Sequence, residues 1–139
     1  MVTVDRSKLP FRKNTEGYFL DKEGRILAQI SDKGHLIFPG GGVEKGETPE
    51  ESIVRESLEE TGAVVKRLKF MIKLDIIWKP EWAKTDKQKK RYHQFRGDEM
   101  YFFCGKIGHF EDNVNLVEDA WRGERLMLSK EAIARLEKG

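Results

Sequence analysis

The segment from Gly41 to Ala63 constrains this chain more than any other: a glycine-rich loop runs into a helix bearing three glutamates on one side. Its spacing is Gly41, five residues, Glu47, seven residues, then Arg55-Glu56-Ser57-Leu58-Glu59-Glu60-Thr61-Gly62-Ala63. Thr48 suits an N-cap, Pro49 suits the first helical position, and Glu51 completes a Thr-x-x-Glu capping box. Gly62 is a natural C-terminal stop, so the spacing predicts a helix from Pro49 to Thr61. At roughly 100° per residue, Glu56, Glu59 and Glu60 fall within about 100° of arc. Val54, Ser57, Leu58 and Thr61 lie opposite, with Ile53 at their edge. That side is expected to pack on a sheet while the carboxylates face outward into a site.

Like charges four residues apart, as in Glu56 and Glu60, weaken an exposed helix by a few tenths of a kcal/mol. In a partly desolvated cleft the cost rises to about 3 kcal/mol per pair at roughly 6 Å and an effective dielectric near 20. Arg55 can relieve Glu51 or Glu59, but no cation stands four residues from Glu56 or Glu60. A divalent ion would remove the repulsion, and hard oxygen ligation suits Mg²⁺ or Mn²⁺.

The plain alternative is a solvated acidic helix face, which three glutamates alone would favour. The flanking residues overturn it. Phe38-Pro39-Gly40-Gly41-Gly42 ends a predicted strand and opens a loop that lets backbone approach a ligand, with carbonyl groups to complete a metal shell. Seven residue types at set spacing have a chance on the order of 10⁻⁹ per starting position.

These residues are those of the Nudix box, and the chain resembles a Nudix hydrolase, including the lead-in Leu36-Ile37-Phe38-Pro39-Gly40. Ser57 departs from the pattern, which usually has an aliphatic residue or alanine there. The resemblance implies an α/β/α sandwich with a mixed β-sheet and Mg²⁺- or Mn²⁺-dependent hydrolysis of a diphosphate joined to another group. It implies Glu56, Glu59 and Glu60 as metal ligands, a carbonyl of Gly40 or Gly41 assisting, and Arg55 with Glu47 as a supporting pair. Cations stabilise the charge that builds on phosphoryl oxygens and lower the attacking water's pKa. A carboxylate must still accept the proton: Glu59 or Glu60, or one elsewhere such as Glu99, Glu111 or Glu118.

At 139 residues the chain reads as one domain, residues 1–139. Its net charge of +2 points to no partner class. Cys104, the single cysteine, lies in the run Tyr101-Phe102-Phe103-Cys104 and is expected as a buried core thiol. The first 15 residues are polar and charged without an apolar stretch, and no run approaches membrane-spanning length. A cytoplasmic protein with no membrane partner is the expectation.

Along the chain, Gly17–Leu20 and Arg25–Ile30 read as a hairpin about a turn at Asp21–Gly24. A second turn at Asp32–Gly34 leads to a short strand at His35–Phe38. Val64–Trp78 holds one or two strands broken near Lys69, Asp98–Ile107 another, and Glu124–Leu128 a last. Ser129 caps a C-terminal helix with Ala132, Ile133 and Leu136 as its apolar side.

Lys79–Gly97 reads as a long basic loop, with Lys79, Lys84, Lys87, Lys89, Lys90, Arg91 and Arg96 against Glu81 and Asp86. Beside an acidic site such cations, Lys89, Arg91 and Arg96 among them, would bind a substrate's phosphates while an aromatic stacks on a base. The competing reading is a solvated insertion, with Trp78 and Trp82 as packing residues and His93 on the surface.

Among substrate marks of the family, Pro80 stands 17 residues past Ala63, a near miss for the ADP-ribose group, and no tyrosine fills the dinucleoside polyphosphate window. A small-molecule nucleoside triphosphate or other nucleoside diphosphate derivative is therefore the expected substrate. Two alternatives stand beside it. One is an RNA 5′-end pyrophosphohydrolase held by the basic loop, although nucleic acid is not the expected partner. The other is a non-catalytic nucleotide-sensing module, which would show a damaged glutamate set; here all four box glutamates are present. A homodimer accords with family habit.

Overall fold

The computed structural model describes residues 5–31, 34–111 and 125–138. Its framework is the strand β1 (Phe11–Leu20), which begins six residues earlier than the hairpin pattern predicts. It pairs in parallel along its whole length with β6 (Gly97–Phe110), from Phe11 opposite Gly97 to Leu20 opposite Lys106. The other edge of β1 is divided. β2 (Ile26–Ile30) meets it only at the hairpin end, Leu20 opposite Ile26, while β4 (Gly40–Gly42) pairs antiparallel with Asn14–Glu16. The glycines expected to open a loop therefore form a short strand.

β3 (Leu36–Ile37) and β7 (Arg125–Leu128) pair with β2, and β5 (Ala63–Ile77) closes the opposite end of the sheet on β6. The order β3-β2-β1-β6-β5, with β4 on β1 and β7 on β2, makes a mixed seven-stranded sheet among the described residues. The mixed α/β fold expected from the sequence is the one observed. The break foreseen near Lys69 is absorbed within one continuous β5. Its register slips between Lys66 and Lys69, where Arg67 takes a positive φ of 53°, and again between Phe70 and Ile72. A bulge re-aims an edge strand without ending its pairing.

Helix α1 (Pro49–Thr61) matches its predicted bounds, with both halves of the Thr48–Glu51 capping box formed and Gly62 left-handed at φ 79°. The face it buries is turned toward the glutamates relative to expectation. Ser52, Ile53, Ser57, Glu60 and Thr61 are buried, whereas Val54 is exposed. Small hydroxyl residues explain the shift. Ser57 Oγ donates to the Ile53 carbonyl at 2.7 Å and Thr61 Oγ1 to that of Ser57 at 2.5 Å, so these side chains enter the interface with their polar atoms satisfied. Ile53 then meets Phe19, Leu27, Ala63, Phe103 and Ile107, the core between α1 and the sheet. Strand alternation that seats Phe103 in this core turns Cys104 to the other face, so the thiol is half-buried rather than a core group.

The basic segment is not a loop. Pro80–Trp82 forms one 3₁₀ turn, and α2 (Asp86–Gln94) follows with its own capping box between Thr85 and Gln88. α3 (Lys130–Lys138) follows Ser129, whose hydroxyl accepts the Ala132 N–H at 3.1 Å. Glu118, Glu124, Asp32 and the Leu136 side chain lie outside the described residues. No helix among the described residues is long and apolar enough to cross a membrane.

Removing the cap of α1 should loosen the helix that carries the glutamates. Thr48→Ala is expected to cost about 1 kcal/mol, a fall of a few degrees in Tm for a chain of this size. Thr48→Ser should retain most of it; equal melting of Thr48→Ala and wild type would show that the box contributes nothing.

Candidate active site

Arg55, halfway along α1, organises the acidic rim. Its Nε and Nη2 donate to the two oxygens of Glu47 at 2.7 and 3.1 Å, a bidentate grip across eight residues. Nη2 also donates to the Gly42 carbonyl at 3.2 Å. Nη1 lies 3.0 Å from Glu59, 3.1 Å from Glu56 and 3.7 Å from Glu44. Arg55 thus reaches Glu59 and also Glu56, while Glu51 is engaged in the cap. The Arg55 hydrogen bond holds the Glu47 carboxyl below its ordinary pKa, and the same bond raises that of the guanidinium.

The three glutamates differ in depth. The Glu59 side chain is 37 % exposed and that of Glu56 15 %, whereas Glu60 is 7 % exposed beneath β4. Glu60 was expected to face outward; instead it accepts the Gly40 N–H at 3.3 Å. Glu56 lies against Gly41 so closely that a Cβ there would stand 2.6 Å from its Oε1. A side chain at position 41 would push that carboxylate out of its place. The Gly41 carbonyl accepts from Thr15 Oγ1 at 3.2 Å, which ties β4 to β1 beneath the rim.

A second polar cluster adjoins this rim, built from residues too far apart along the chain to form a motif. Parallel register places Arg12 on β1 opposite Asp98 on β6. Arg12 Nη1 donates to Asn14 Oδ1 at 2.8 Å, the Asn14 amide donates to Asp98, and Trp78 Nε1 donates to the other Asp98 oxygen at 2.9 Å. Trp78 is buried and stacks on Trp82 at 3.8 Å, so both tryptophans are packing residues here. The Arg12 guanidinium lies on Gly42, where any side chain would collide with it. Burial lowers the Arg12 pKa, with Arg91 adding repulsion, and burial raises that of Asp98. Neither Arg12 nor Arg91 makes an ion pair among the described residues.

Of the basic residues expected to meet substrate, Arg91 alone is found in the electrostatic surroundings of this cluster. Lys89 is exposed on α2, and Arg96 lies over the Phe11 ring at 5.3 Å. His93 is on the surface, as expected. Among the alternative bases, Glu99 accepts the Tyr101 hydroxyl, a bond that pushes the tyrosine pKa up to about 12. Glu111 pairs with His109 at 2.8 Å.

A family model described as the NUDIX domain matches residues 10–134. The chain belongs to the Nudix hydrolase family. It is 29 % identical over 125 residues to an RNA pyrophosphohydrolase of Cereibacter sphaeroides, covering 84 % of this chain and 74 % of that protein. It spans only about half of several other curated RNA pyrophosphohydrolases that it matches, 51 to 56 % of their length. Over 54 residues, 39 % of this chain and 34 % of the relative, it is 44 % identical to a putative 8-oxo-dGTP diphosphatase, YtkD, of Bacillus subtilis. A NUDIX hydrolase structure from Nitrosomonas europaea superposes with a TM-score of 0.66 at 17 % identity, over 92 % of this chain and 78 % of that one, a likeness of fold.

Nudix hydrolases generally use a divalent cation such as Mg²⁺. The donors of this Nudix rim, carboxylate and carbonyl oxygens with a glycine admitting close approach, have the hard chemistry such an ion prefers. They are not gathered as a ready cage: among the described residues no three acidic, histidine or cysteine side chains enclose a common point. Glu56 and Glu59 are instead directed at Arg55, so a cation would share or displace that contact.

The Glu47–Arg55 pair gives this region a pH signature. With its native pKa depressed, Glu47 contributes stability that is present above the unfolded carboxyl pKa, about 4.3. That contribution disappears as pH falls through the lower native value. Glu47→Gln is therefore expected to melt below wild type at pH 7 and to converge with it in acid. A constant gap in Tm from pH 7 to pH 3 would contradict this.

Proposed function

We propose that this Nudix hydrolase is a Mg²⁺- or Mn²⁺-dependent pyrophosphohydrolase that cleaves the anhydride of a nucleoside triphosphate or another nucleoside diphosphate derivative. The observation carrying this reading is the rim in which Glu56 and Glu59 converge on Arg55, beside Glu60 and above Gly41. Glu56, Glu59 and Glu60, with a carbonyl of Gly40 or Gly41, would hold the cation, which supplies charge neutralisation at the phosphoryl oxygens and a more acidic water.

The residues of the chain do the rest. Arg55, gripped by Glu47, fixes the carboxylates and limits their mutual repulsion. Water oxygen bonds to phosphorus, the phosphorus–oxygen anhydride bond breaks, and the water's proton passes to a carboxylate. Glu59, the most exposed of the three, is best placed to exchange protons with solvent; Glu60, Glu99 and Glu111 are the other candidates. Arg12, which lies on Gly42, and Arg91, near enough to repel it, form no ion pair among the described residues and suit the phosphates farther from the attacked phosphorus. Lys89 and Arg96 would contribute through the field of the basic segment.

The curated relatives favour one second reading, an RNA 5′-end substrate, in which the exposed cations of α2 track the nucleic acid backbone. A screen of nucleoside triphosphates, nucleotide sugars, ADP-ribose and 5′-triphosphorylated RNA, with Mg²⁺ and phosphate or nucleotide release as readout, separates the two. On the small-substrate reading, replacing Lys87, Lys89 and Lys90 together lowers kcat/KM on nucleotides by only a few fold, through the lost field; on the RNA reading it abolishes a salt-sensitive RNA activity.

Glu59→Gln and Glu60→Gln are each expected to lower kcat by two orders of magnitude or more while the protein remains folded. Near-normal turnover in both would overturn the site. Arg12→Met should raise KM more than it lowers kcat; an unchanged KM removes Arg12 from the phosphate side. Mg²⁺ should raise Tm in wild type, with a smaller increase in Glu56→Gln, and an unaltered melting curve would count against cation binding.

A further inference from the structure

β5 is an edge strand of fifteen residues whose outer side has no partner among the described residues. Its two halves differ. The first carries Lys66, Arg67 and Lys69 together with the register slips, features that blunt an edge against pairing. The second, Ile72–Ile77, pairs with β6 without interruption, so its backbone is straight enough to template another strand. It is also apolar in an exposed place. Phe70, Met71, Ile72, Leu74, Ile76 and Ile77 are all between 45 and 56 % exposed. Ile72, Leu74 and Ile76 share one face, opposite Phe102, Met100 and Asp98 of β6, and form an apolar stripe of roughly 300 Å², the size of the largest patch on a typical monomer.

The sequence Ile72-Lys73-Leu74-Asp75-Ile76 is self-complementary about Leu74. In an antiparallel pair of two copies related by a two-fold axis through Leu74, each Ile72 faces Ile76 and each Lys73 faces Asp75 of the second copy. Neighbouring registers fail. A two-fold at Lys73 opposes lysine to lysine, one at Asp75 opposes aspartate to aspartate, and one at Ile76 sets Lys73 against Lys79. One at Ile72 matches Lys69 with Asp75 but runs through the slip between Phe70 and Ile72.

A further observation points the same way. Register puts Asp75 directly opposite Glu99 on β6, a like-charge pair that destabilises a sheet. Lys73, 3.8 Å from Glu99, compensates only that side, and Asp75 has no ion pair among the described residues. A lysine arriving across the open edge would supply the missing charge.

We propose that this protein self-associates through Ile72–Ile76 of β5, forming a two-fold dimer with a sheet continuous across both copies. Roughly 600 Å² of apolar stripe from the two copies is below what a stable specific interface buries, so the dimer is weak and reversible. The proposal is independent of the hydrolase reading.

Sedimentation velocity on the wild-type chain, from low micromolar to a few hundred micromolar, should show a dimer whose fraction rises with concentration. Asp75→Lys and Lys73→Asp should each be monomeric over that range, because each opposes like charges. An equimolar mixture of the two should dimerise again, since every facing pair is then opposite in sign; the double variant K73D/D75K should as well. Circular dichroism melts check that each variant is folded. Without any variant, hydrogen exchange of the wild type should show the Ile72–Ile77 amides gaining protection as concentration rises. A wild type that stays monomeric, single reversals that dimerise like wild type, a mixture that fails to recover, or a dimer that leaves those amides unprotected would each overturn the assignment.

Discussion

One guanidinium holds the acidic rim together. Arg55 touches Glu44, Glu47, Glu56 and Glu59, so a single positive charge serves four carboxylates and the rim remains strongly negative. Burying charge is unfavourable unless each group is paired and hydrogen-bonded. Here the deepest acid, Glu60, leans on a backbone N–H, and Glu47 is locked by a two-bond grip. The residual negative charge lies on Glu56 and Glu59, which share Arg55 Nη1 with the more exposed Glu44 and which we propose as ligands together with Glu60.

Packing allows that arrangement. α1 can approach the sheet because Ser52, Ser57 and Thr61 are small, and the hydroxyls of Ser57 and Thr61 bond back into the helix. A bulkier residue at position 57 would lift the helix from Phe19 and Phe103 and carry the glutamates away from Gly41. The serine that departs from the usual family pattern is thus accommodated by its own hydrogen bond.

How much was legible in the sequence follows from the range of the forces involved. α1, its cap, its stop and the Arg55–Glu47 spacing were readable because they rest on contacts within eight residues. The orientation of the buried face departs from the hydropathy pattern, since polar Ser52 and Glu60 point inward while apolar Val54 points out. Hydropathy cannot foresee hydroxyls that satisfy themselves. The basic segment reads as a loop from its run of lysines and arginines, yet Thr85 and Gln88 supply a capping box that starts α2. Arg12, Asn14, Asp98 and Trp78 were invisible as a group, for only the parallel register of β1 with β6 and the end of β5 bring them together.

That parallel register has a kinetic corollary. A hairpin can close as soon as its two arms exist, but Phe11 finds its neighbour only at Gly97, after nearly the whole sheet-forming chain has been made. Loops of that length are slow to close, and proteins built on such distant pairings fold later and more slowly than local ones. During synthesis the amino-terminal strand must therefore wait, one edge open, until the chain beyond Gly97 leaves the ribosome. The glycine strand has no such wait, since it pairs with the other edge of β1 across a separation of only 26 residues, from Thr15 to Gly41.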